Sequence, residues 1–265
     1  MNFLSEHEKQ TAKKFLKNGY IIEKIHNLQK LDVIEKLVLN LLKKEIKNLK
    51  KYSNHYILNN THKLVKKSKL NEIRLKIIEY LNNKNEFIKN YYLLSKPYLD
   101  ILVGNELSMQ KRINLSIQFP KDSSSLLALH SDVWSGDSPF EIVSWLPLVN
   151  CYGTKSMYIL PPSKYQKFEK IFKNKKNSDS EKIYKKMKKD LKWIKINYGE
   201  ILIFNQCLPH GNIVNKTNET RWTFNCRFKG LFTPYNDKKI AEFFQPITIR
   251  PVSQIGLNYK LPKLR

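Results

Sequence analysis

Apolar residues recur at helical spacing in the first hundred residues of the chain. One such run covers residues 28–42 within a Lys- and Glu-rich stretch, and a second covers residues 73–81. Spacing near 3.6 residues predicts amphipathic helices, each with one face turned toward a core. We therefore predict a helical scaffold over residues 1–105, and we assign no catalytic chemistry to it.

From about Leu107 the apolar positions alternate with polar ones and are interrupted by turn residues, which predicts strands. Several short strands in succession favour a barrel or sandwich, with the N-terminal helices packed on one face. Because the chain has no internal repeat and no linker rich in Gly, Pro or Ser, we expect one domain over residues 1–265. The predicted strands cover residues 110–119, 141–149, 156–160, 193–196, 200–204 and 220–232; the core covers 106–232, with a helical insertion at 163–190 and a C-terminal extension at 233–265.

Two of the predicted strands carry polar residues at every second position. Side chains alternate across a strand, so each of these strands has one apolar and one polar face. A polar face in water is the simpler interpretation of one strand alone. Both polar faces contain little Lys, although Lys dominates the rest of the chain, and this favours a polar-lined cavity. The polar faces consist of Gln110, Arg112, Asn114, Ser116 and Gln118 in the first strand and of Arg221, Thr223, Asn225 and Arg227 in the second.

The segment His130-Ser131-Asp132 contains two candidate metal ligands. Residues i and i+2 of a strand project from the same face, so the imidazole and the carboxylate can bind one ion. His210, which follows a predicted strand, is the candidate third ligand. Two histidines and one carboxylate form the facial triad of non-heme iron(II) oxygenases, which leaves coordination positions open. A zinc hydrolase can use the same ligands, but no HExxH or similar motif supports one.

Composition limits the class of protein. Hydrophobic residues make up 41% of the chain, and no apolar run approaches the roughly 18 residues that a membrane span requires. The first residues turn acidic and polar at once, unlike a secretory signal, so a cytoplasmic protein is expected. Cys151, Cys207 and Cys226 show no CxxC spacing, which favours reduced thiols. Nothing in the sequence indicates an oligomeric state.

The formal net charge is +25, and nearly all of the positive charge is lysine spread along the chain. Such a charge can attract nucleic acid or an anionic membrane. The even spread favours solvated lysine faces, as in chains with a compositional bias toward Lys, Asn and Ile. Nucleic acid is therefore a possible partner but not the favoured one.

The order of these motifs resembles the iron(II)- and 2-oxoglutarate-dependent oxygenases, and within them the phytanoyl-CoA dioxygenase-like branch. The opening Phe15-Leu16-Lys17-Asn18-Gly19-Tyr20 is similar to the "F-x-x-x-G-Y" segment of that branch. His130-Ser131-Asp132, the Gly199-Glu200 turn and His210 stand in the family's order. Pro162 and Lys164 depart from its "P-G-S-H" turn. More narrowly, the chain is similar to an oxygenase group that recurs beside carbohydrate-biosynthesis genes.

The resemblance implies a mainly β fold with α, in which a double-stranded β-helix core of jelly-roll or cupin-like form carries N-terminal helices on one face. It implies Fe(II) held by His130, Asp132 and His210, with 2-oxoglutarate and dioxygen (O2) as co-substrates and succinate and CO2 as products. It also implies that an arginine clamps the far carboxylate of 2-oxoglutarate, with Arg221 favoured and Arg227 as competitor. Thr223, Gln118 and Asn114 are assigned to the same co-substrate site.

The polar strand faces favour a hydrophilic small-molecule substrate, such as a sugar, nucleotide-sugar or amino-acid derivative. Halogenating relatives lack the carboxylate ligand, so Asp132 favours hydroxylation. A nucleic-acid demethylase of the same superfamily and a non-catalytic binding protein of the same fold remain alternatives. The residues assigned to substrate are Arg112, Trp134, Asn225 and Arg227.

Overall fold

The computed structural model describes residues 3–173 and 180–262. Residues 174–179 of the predicted helical insertion and the last three residues of the predicted C-terminal extension lie outside this range. The helices are α1 (Glu6–Asn18), α2 (Leu28–Glu45), α3 (Asn54–Asn59), α4 (Thr61–Leu64), α5 (Leu70–Asn82), α6 (Asn85–Leu102), α7 (Pro162–Lys173), α8 (Ser180–Met187) and α9 (Pro251–Asn258). The strands are β1 (Tyr20–Lys24), β2 (Leu107–Gln110), β3 (Asn114–Gln118), β4 (Glu141–Pro147), β5 (Tyr158–Ile159), β6 (Lys192–Trp193), β7 (Glu200–Asn205), β8 (His210–Gly211), β9 (Arg221–Gly230) and β10 (Phe244–Thr248).

The strands form two antiparallel sheets. The larger sheet has the order β1-β7-β4-β9-β2-β10, with β3 also paired to β9, and the smaller one has the order β6-β5-β8. The predicted combination of a β core with α-helices is therefore confirmed, although the described residues form a mixed α/β structure and not a mainly β one. The described strands do not close into a barrel, and the finer assignment to a double-stranded β-helix core stays a prediction.

The long strand β9 separates the helical layer from the polar interior. Its apolar face is buried, and Phe224 lies against Phe87 of α6 with ring centroids 5.2 Å apart. The Tyr91 hydroxyl of α6 also donates a hydrogen bond to the Ser144 carbonyl of β4 (2.8 Å). β3 pairs with β9, and the register of this pair places Asn114, Ser116 and Gln118 beside the polar residues Asn225, Thr223 and Arg221 of β9. The period-two pattern of β9 thus directs its polar side chains to the interior.

Three features differ from the elements that the sequence predicts. The strand β1 lies within the region predicted to be helical, where Gly19 (φ 78°) ends α1 and the chain then pairs with β7 as the edge strand of the larger sheet. The strand predicted over residues 110–119 is divided into β2 and β3 by residues 111–113. The C-terminal extension supplies β10, which pairs with β2. Each difference depends on a pairing partner far away in sequence, which local periodicity does not reveal.

No helix in residues 3–173 and 180–262 combines the length and the hydropathy needed to cross a bilayer.

Candidate metal centre

A single antiparallel bridge brings together the two histidines. His130 and His210 exchange backbone hydrogen bonds, with N···O distances of 2.9 and 2.8 Å. The close approach of these segments explains the glycine after His210, because a Cβ on Gly211 would lie 2.8 Å from the Leu127 carbonyl oxygen. Asp132 follows His130 in extended backbone and then begins a short 3₁₀ turn, so only the first half of this segment is strand-like.

The ligand atoms of His130, Asp132 and His210 all lie within 4.8 Å of one another. Asp132 Oδ1 is 3.4 Å from His130 Nε2 and 3.9 Å from His210 Nε2. Each histidine places its Nδ1 close to a carbonyl oxygen two residues earlier, at 2.7 Å for His130 and 2.9 Å for His210. A carbonyl only accepts, so each Nδ1 carries the proton, and both Nε2 lone pairs are free for a metal.

The electrostatics of the three groups also suit a cation. Burial, followed by the charge of nearby His130, lowers the pKa of His210 to about 4, so its ring is neutral near pH 7. Burial alone would raise the pKa of Asp132. The contact with His130, the proximity of His210 and the positive charge of Arg227 outweigh it and hold that pKa well below its usual range. A neutral imidazole and an ionised carboxylate are the forms that ligate.

Arg227 lies directly behind the carboxylate. Its Nη2 is 2.8 Å from Asp132 Oδ2, the oxygen that does not face the histidines. Its Nε is 3.1 Å from Asp137 Oδ1 and donates to Gln206 Oε1 at 3.0 Å. A fourth polar partner is Gln110, whose Oε1 accepts from Nη1 at 3.2 Å. Arg227 is therefore neutralised by two carboxylates and fixes the orientation of Asp132.

Arg221 is placed quite differently, although it shares the strand and the face with Arg227. It is buried, and its Nη1 and Nη2 donate to the Ser156 carbonyl (3.2 Å) and to Ser116 Oγ (3.0 Å). Burial lowers the pKa of Arg221 to about 10. No carboxylate of the described residues lies within 4.0 Å of its guanidinium. A buried cation without a counterion is costly, so this position favours an anionic ligand.

Unpartnered polar atoms accumulate around this arginine. They are buried and have no hydrogen-bond partner in the described part of the chain. Native proteins rarely leave such atoms unsatisfied, and a cluster of them points to a missing polar ligand. The atoms are Arg221 Nε, Thr223 Oγ1, Ser156 Oγ and Gln118 Oε1.

Two connected cavities give access to the metal ligands. The inner one, of about 80 Å³, contains all three ligands together with Arg221, Thr223 and several apolar side chains. The outer cleft, of about 990 Å³, opens toward α5. The residues shared by both cavities are Ser116, Leu127, His130, Asn225 and Arg227.

The structure separates the site residues that the sequence predicts into two groups. Thr223, Asn225, Arg221 and Arg227 line the inner cavity with the three metal ligands, and Asn114 lines the outer cleft.

Three predicted residues line neither cavity. Arg112 is exposed in the break between β2 and β3. Residues 111–113 do not belong to a strand, so the alternation of side chains between two faces is interrupted there. Trp134 lies against Phe172 of α7 with ring centroids 5.4 Å apart, so it packs on the helical insertion. Gln118 is buried and donates to the Ile213 carbonyl (2.8 Å). The roles of Arg112 and Trp134 at the substrate and of Gln118 at the co-substrate stay predictions, and of the three only Gln118 has an unpartnered polar atom in the group around Arg221.

One wall of the outer cleft was not predicted from the sequence. Lys67, Asn71 and Arg74, from the region predicted to be scaffold only, line the outer cleft. Residues on the polar face of an amphipathic helix have the same pattern whether they face solvent or a cleft. No periodicity in the sequence could therefore have identified them.

Comparison with known proteins shows the fold. No family model matches the chain, and no curated protein matches it. Apo HygX from Streptomyces hygroscopicus is 12% identical, with 86% of this chain and 88% of that chain covered and a TM-score of 0.51. HygX with iron bound is 12% identical, with 91% and 92% covered and a TM-score of 0.50. The apo form of the non-heme monooxygenase ThoJ is 12% identical, with 90% and 84% covered and a TM-score of 0.50.

The chain therefore shares its fold with non-heme oxygenases, as the sequence resemblance predicted. The narrower assignment to the phytanoyl-CoA dioxygenase-like branch stays a prediction.

Proposed function

We propose that the protein is an Fe(II)- and 2-oxoglutarate-dependent oxygenase that hydroxylates a polar small molecule. One observation carries the proposal: two histidine Nε2 atoms and one carboxylate oxygen converge in the same cavity as a buried arginine that has no counterion among the described residues. Two histidines and a carboxylate suit Fe(II) and leave coordination positions for a bidentate co-substrate and for dioxygen. The iron bound in HygX, which has the same fold, supports the choice of metal.

Arg221 is our candidate for the far carboxylate of 2-oxoglutarate. Its planar guanidinium suits bidentate recognition of a carboxylate, and the buried Nε without a partner provides a donor. The hydroxyl of Thr223, two residues on along the same face of β9, also lacks a partner and lines the inner cavity. Arg227 is the weaker candidate because Asp132 and Asp137 already neutralise it.

The residues of this chain hold the reactants and exclude water. Bound Fe(II), with 2-oxoglutarate and dioxygen, supplies the oxidising chemistry that hydroxylates a C–H bond and releases succinate and CO2. His130, Asp132 and His210 would hold the metal, and Arg227 binds Asp132 Oδ2 while Oδ1 stays on the side of the two histidines. Apolar side chains surround the remaining space and limit the access of water to the groups that would react there. These are Val143, Trp145, Met157 and Phe204.

The lining of the outer cleft supports a hydrophilic substrate. Hydroxyl and amide groups face the same space as His130, and a bare acyl chain would leave them unsatisfied. Among them, the Asn114 and Asn225 side chains are joined by a hydrogen bond of 3.1 Å at the passage to the inner cavity. The polar cleft residues are Ser68, Asn71, Asn114, Ser116, Ser124, Ser125 and Asn225.

Anaerobic titration tests the proposal. Addition of Fe(II) and then 2-oxoglutarate to the full chain is expected to produce the visible metal-to-ligand charge-transfer band of the bidentate complex. The band should disappear in His210→Ala and persist in His7→Ala, a control that removes an exposed histidine of α1. Absence of the band in the wild-type chain, or an unchanged band in His210→Ala, contradicts the proposal and favours the non-catalytic alternative.

A further inference from the structure

Arg74 is a cation that lines the outer cleft but not the inner cavity that holds the metal ligands. It lies on α5, is half-buried, and lines the cleft together with Asn71. Its Nη2 donates to Asn71 Oδ1 at 2.7 Å, which holds the guanidinium against the cleft wall. No other acceptor among the described residues binds this guanidinium, so the remaining N–H groups are available to a ligand.

The other cations of the cleft are already neutralised by carboxylates. Lys67 Nζ is 2.8 Å from the buried Asp122 carboxylate, and Arg227 is paired with Asp132 and Asp137. No carboxylate of the described residues lies within 4.0 Å of Arg74, and the cleft is lined by no Asp or Glu. The cleft therefore presents one uncompensated guanidinium in a chain whose net charge of +25 already attracts anions.

The polar groups of the cleft have a definite order. Arg74 and Asn71 belong to the helical wall on α5, whereas Asn225 of β9 lines both cavities with His130, and Asn114 of β3 is hydrogen-bonded to Asn225. A ligand that spans the cleft thus meets a cation on the helical wall and hydrogen-bonding amides nearer the metal ligands. Guanidinium binds phosphate and carboxylate through paired hydrogen bonds, whereas amides recognise hydroxyl groups.

We propose that the cleft binds a hydroxylated small molecule that carries a phosphate or carboxylate group, and that Arg74 holds this anionic group. The hydroxylated part then lies against Asn114 and Asn225, next to the metal ligands. This inference rests on the proposed function, because it names the substrate class of the same site. Arg74 is a binding residue in this proposal and takes no part in the reaction.

Calorimetric titration of the full chain, without Fe(II) or 2-oxoglutarate, tests the inference. The probes are glucose, glucose 6-phosphate and glucuronate at low ionic strength. At least one of the two anionic probes should bind about tenfold or more tightly than glucose, as expected for a charge-assisted contact. The tighter of the two identifies the preferred anionic group.

Three variants distinguish binding of the anionic group at Arg74 from nonspecific attraction of anions to the positively charged chain. Arg74→Gln should remove most of the preference for the anion, and Arg74→Lys should retain part of it. Lys76→Gln is the matched control, because Lys76 lies on the same helix, is exposed and pairs with Glu45 and Glu72 away from the cleft. It should retain the full preference. Thermal unfolding of each variant checks that the fold is intact.

The inference is wrong if glucose binds as tightly as both anions, if none of the three probes binds, or if Lys76→Gln weakens the anions as much as Arg74→Gln. Because the titration omits metal and co-substrate, its outcome is independent of the charge-transfer band. A chain that binds anions through Arg74 but shows no band keeps the anion site and loses the oxygenase function. The reverse result removes only the anion site.

Discussion

Replacement of Arg221 by methionine tests the assignment of the co-substrate site most directly. Methionine is an unbranched, uncharged side chain that matches the aliphatic stem of arginine, so the variant removes the guanidinium while it fills the space of the stem. In the ligand-free protein, the loss of the hydrogen bonds to Ser156 and Ser116 is offset by the removal of a buried cation without a counterion. We expect the free energy of unfolding to change by no more than about 1 kcal/mol.

Binding of 2-oxoglutarate should change far more. Loss of one partner from a buried, hydrogen-bonded charge pair costs roughly 2–5 kcal/mol, which corresponds to roughly a 30-fold to several-thousand-fold rise in Kd. At a 2-oxoglutarate concentration of about 100 times the wild-type Kd, ligand binding stabilises the wild-type protein by about 2.7 kcal/mol. A variant with a Kd about 30-fold higher gains only about 0.9 kcal/mol under the same conditions.

The assay is chemical unfolding with and without 2-oxoglutarate, combined with direct titration of the charge-transfer band. Arg112→Met is the control, because Arg112 is exposed and lines neither cavity. Ser116→Asp gives an independent test, since Ser116 Oγ accepts from Arg221 and a carboxylate there would compete with the ligand. Ser116→Asn should have a smaller effect. Unchanged 2-oxoglutarate affinity in Arg221→Met, or equal losses in Arg221→Met and Arg112→Met, would refute the assignment.

Three further variants test features other than the proposed contact of Arg221 with 2-oxoglutarate: the support of Asp132, the packing beside His210 and the protonation of Glu141. Arg227→Met removes the partner of Asp132 Oδ2, and we expect a roughly 10- to 100-fold loss of Fe(II) affinity in competition with a chelating dye; an unchanged affinity contradicts the positioning role. Gly211→Ala places a Cβ 2.8 Å from a backbone oxygen beside His210, so unfolding should require roughly 1–3 kcal/mol less, and a wild-type melting temperature would argue against this packing. Burial raises the pKa of Glu141 from 4.5 to about 7, so the folded state binds the proton more tightly than the unfolded state does. The stability that this group contributes is present below about pH 4.5 and is lost as pH rises through 7. Glu141→Gln should therefore gain stability relative to wild type between pH 5 and 8, by at most roughly 3 kcal/mol. A difference in unfolding free energy between the two proteins that does not vary with pH contradicts the raised pKa.

Periodicity was sufficient to predict the central strand β9 and the faces on which its residues lie. Trp222 and Phe224 are buried on one face, and Arg221 and Thr223 line the cavity on the other, as alternation requires. The same rule failed for Arg112, because three residues outside the strand interrupt the alternation between β2 and β3. Alternation predicts a face only where the strand is continuous, and nothing local signals such a break.

The distal ligand shows a second limit of sequence reasoning. His130 and His210 are brought together by one backbone bridge across a long sequence separation. The ordered motifs indicated that both belong to one site, but they did not reveal the bridge or the hydrogen bonds that direct each Nε2 toward Asp132. Arg74 shows a third limit, because the polar face of a helix does not indicate what lies opposite it.

The roles proposed for Arg221 and Arg227 depend on partners that the strand itself does not contain. Both arginines lie on the same face of β9, so the strand pattern alone does not distinguish their roles. Asp132 and Asp137, from the segment that carries two of the metal ligands, approach Arg227 but not Arg221. One arginine therefore becomes a support for the metal-binding carboxylate, and the other remains a buried cation that needs an anion. Two residues of identical chemistry acquire different functions because the acids lie at one end of the cavity, and this arrangement becomes visible only when the chain has folded.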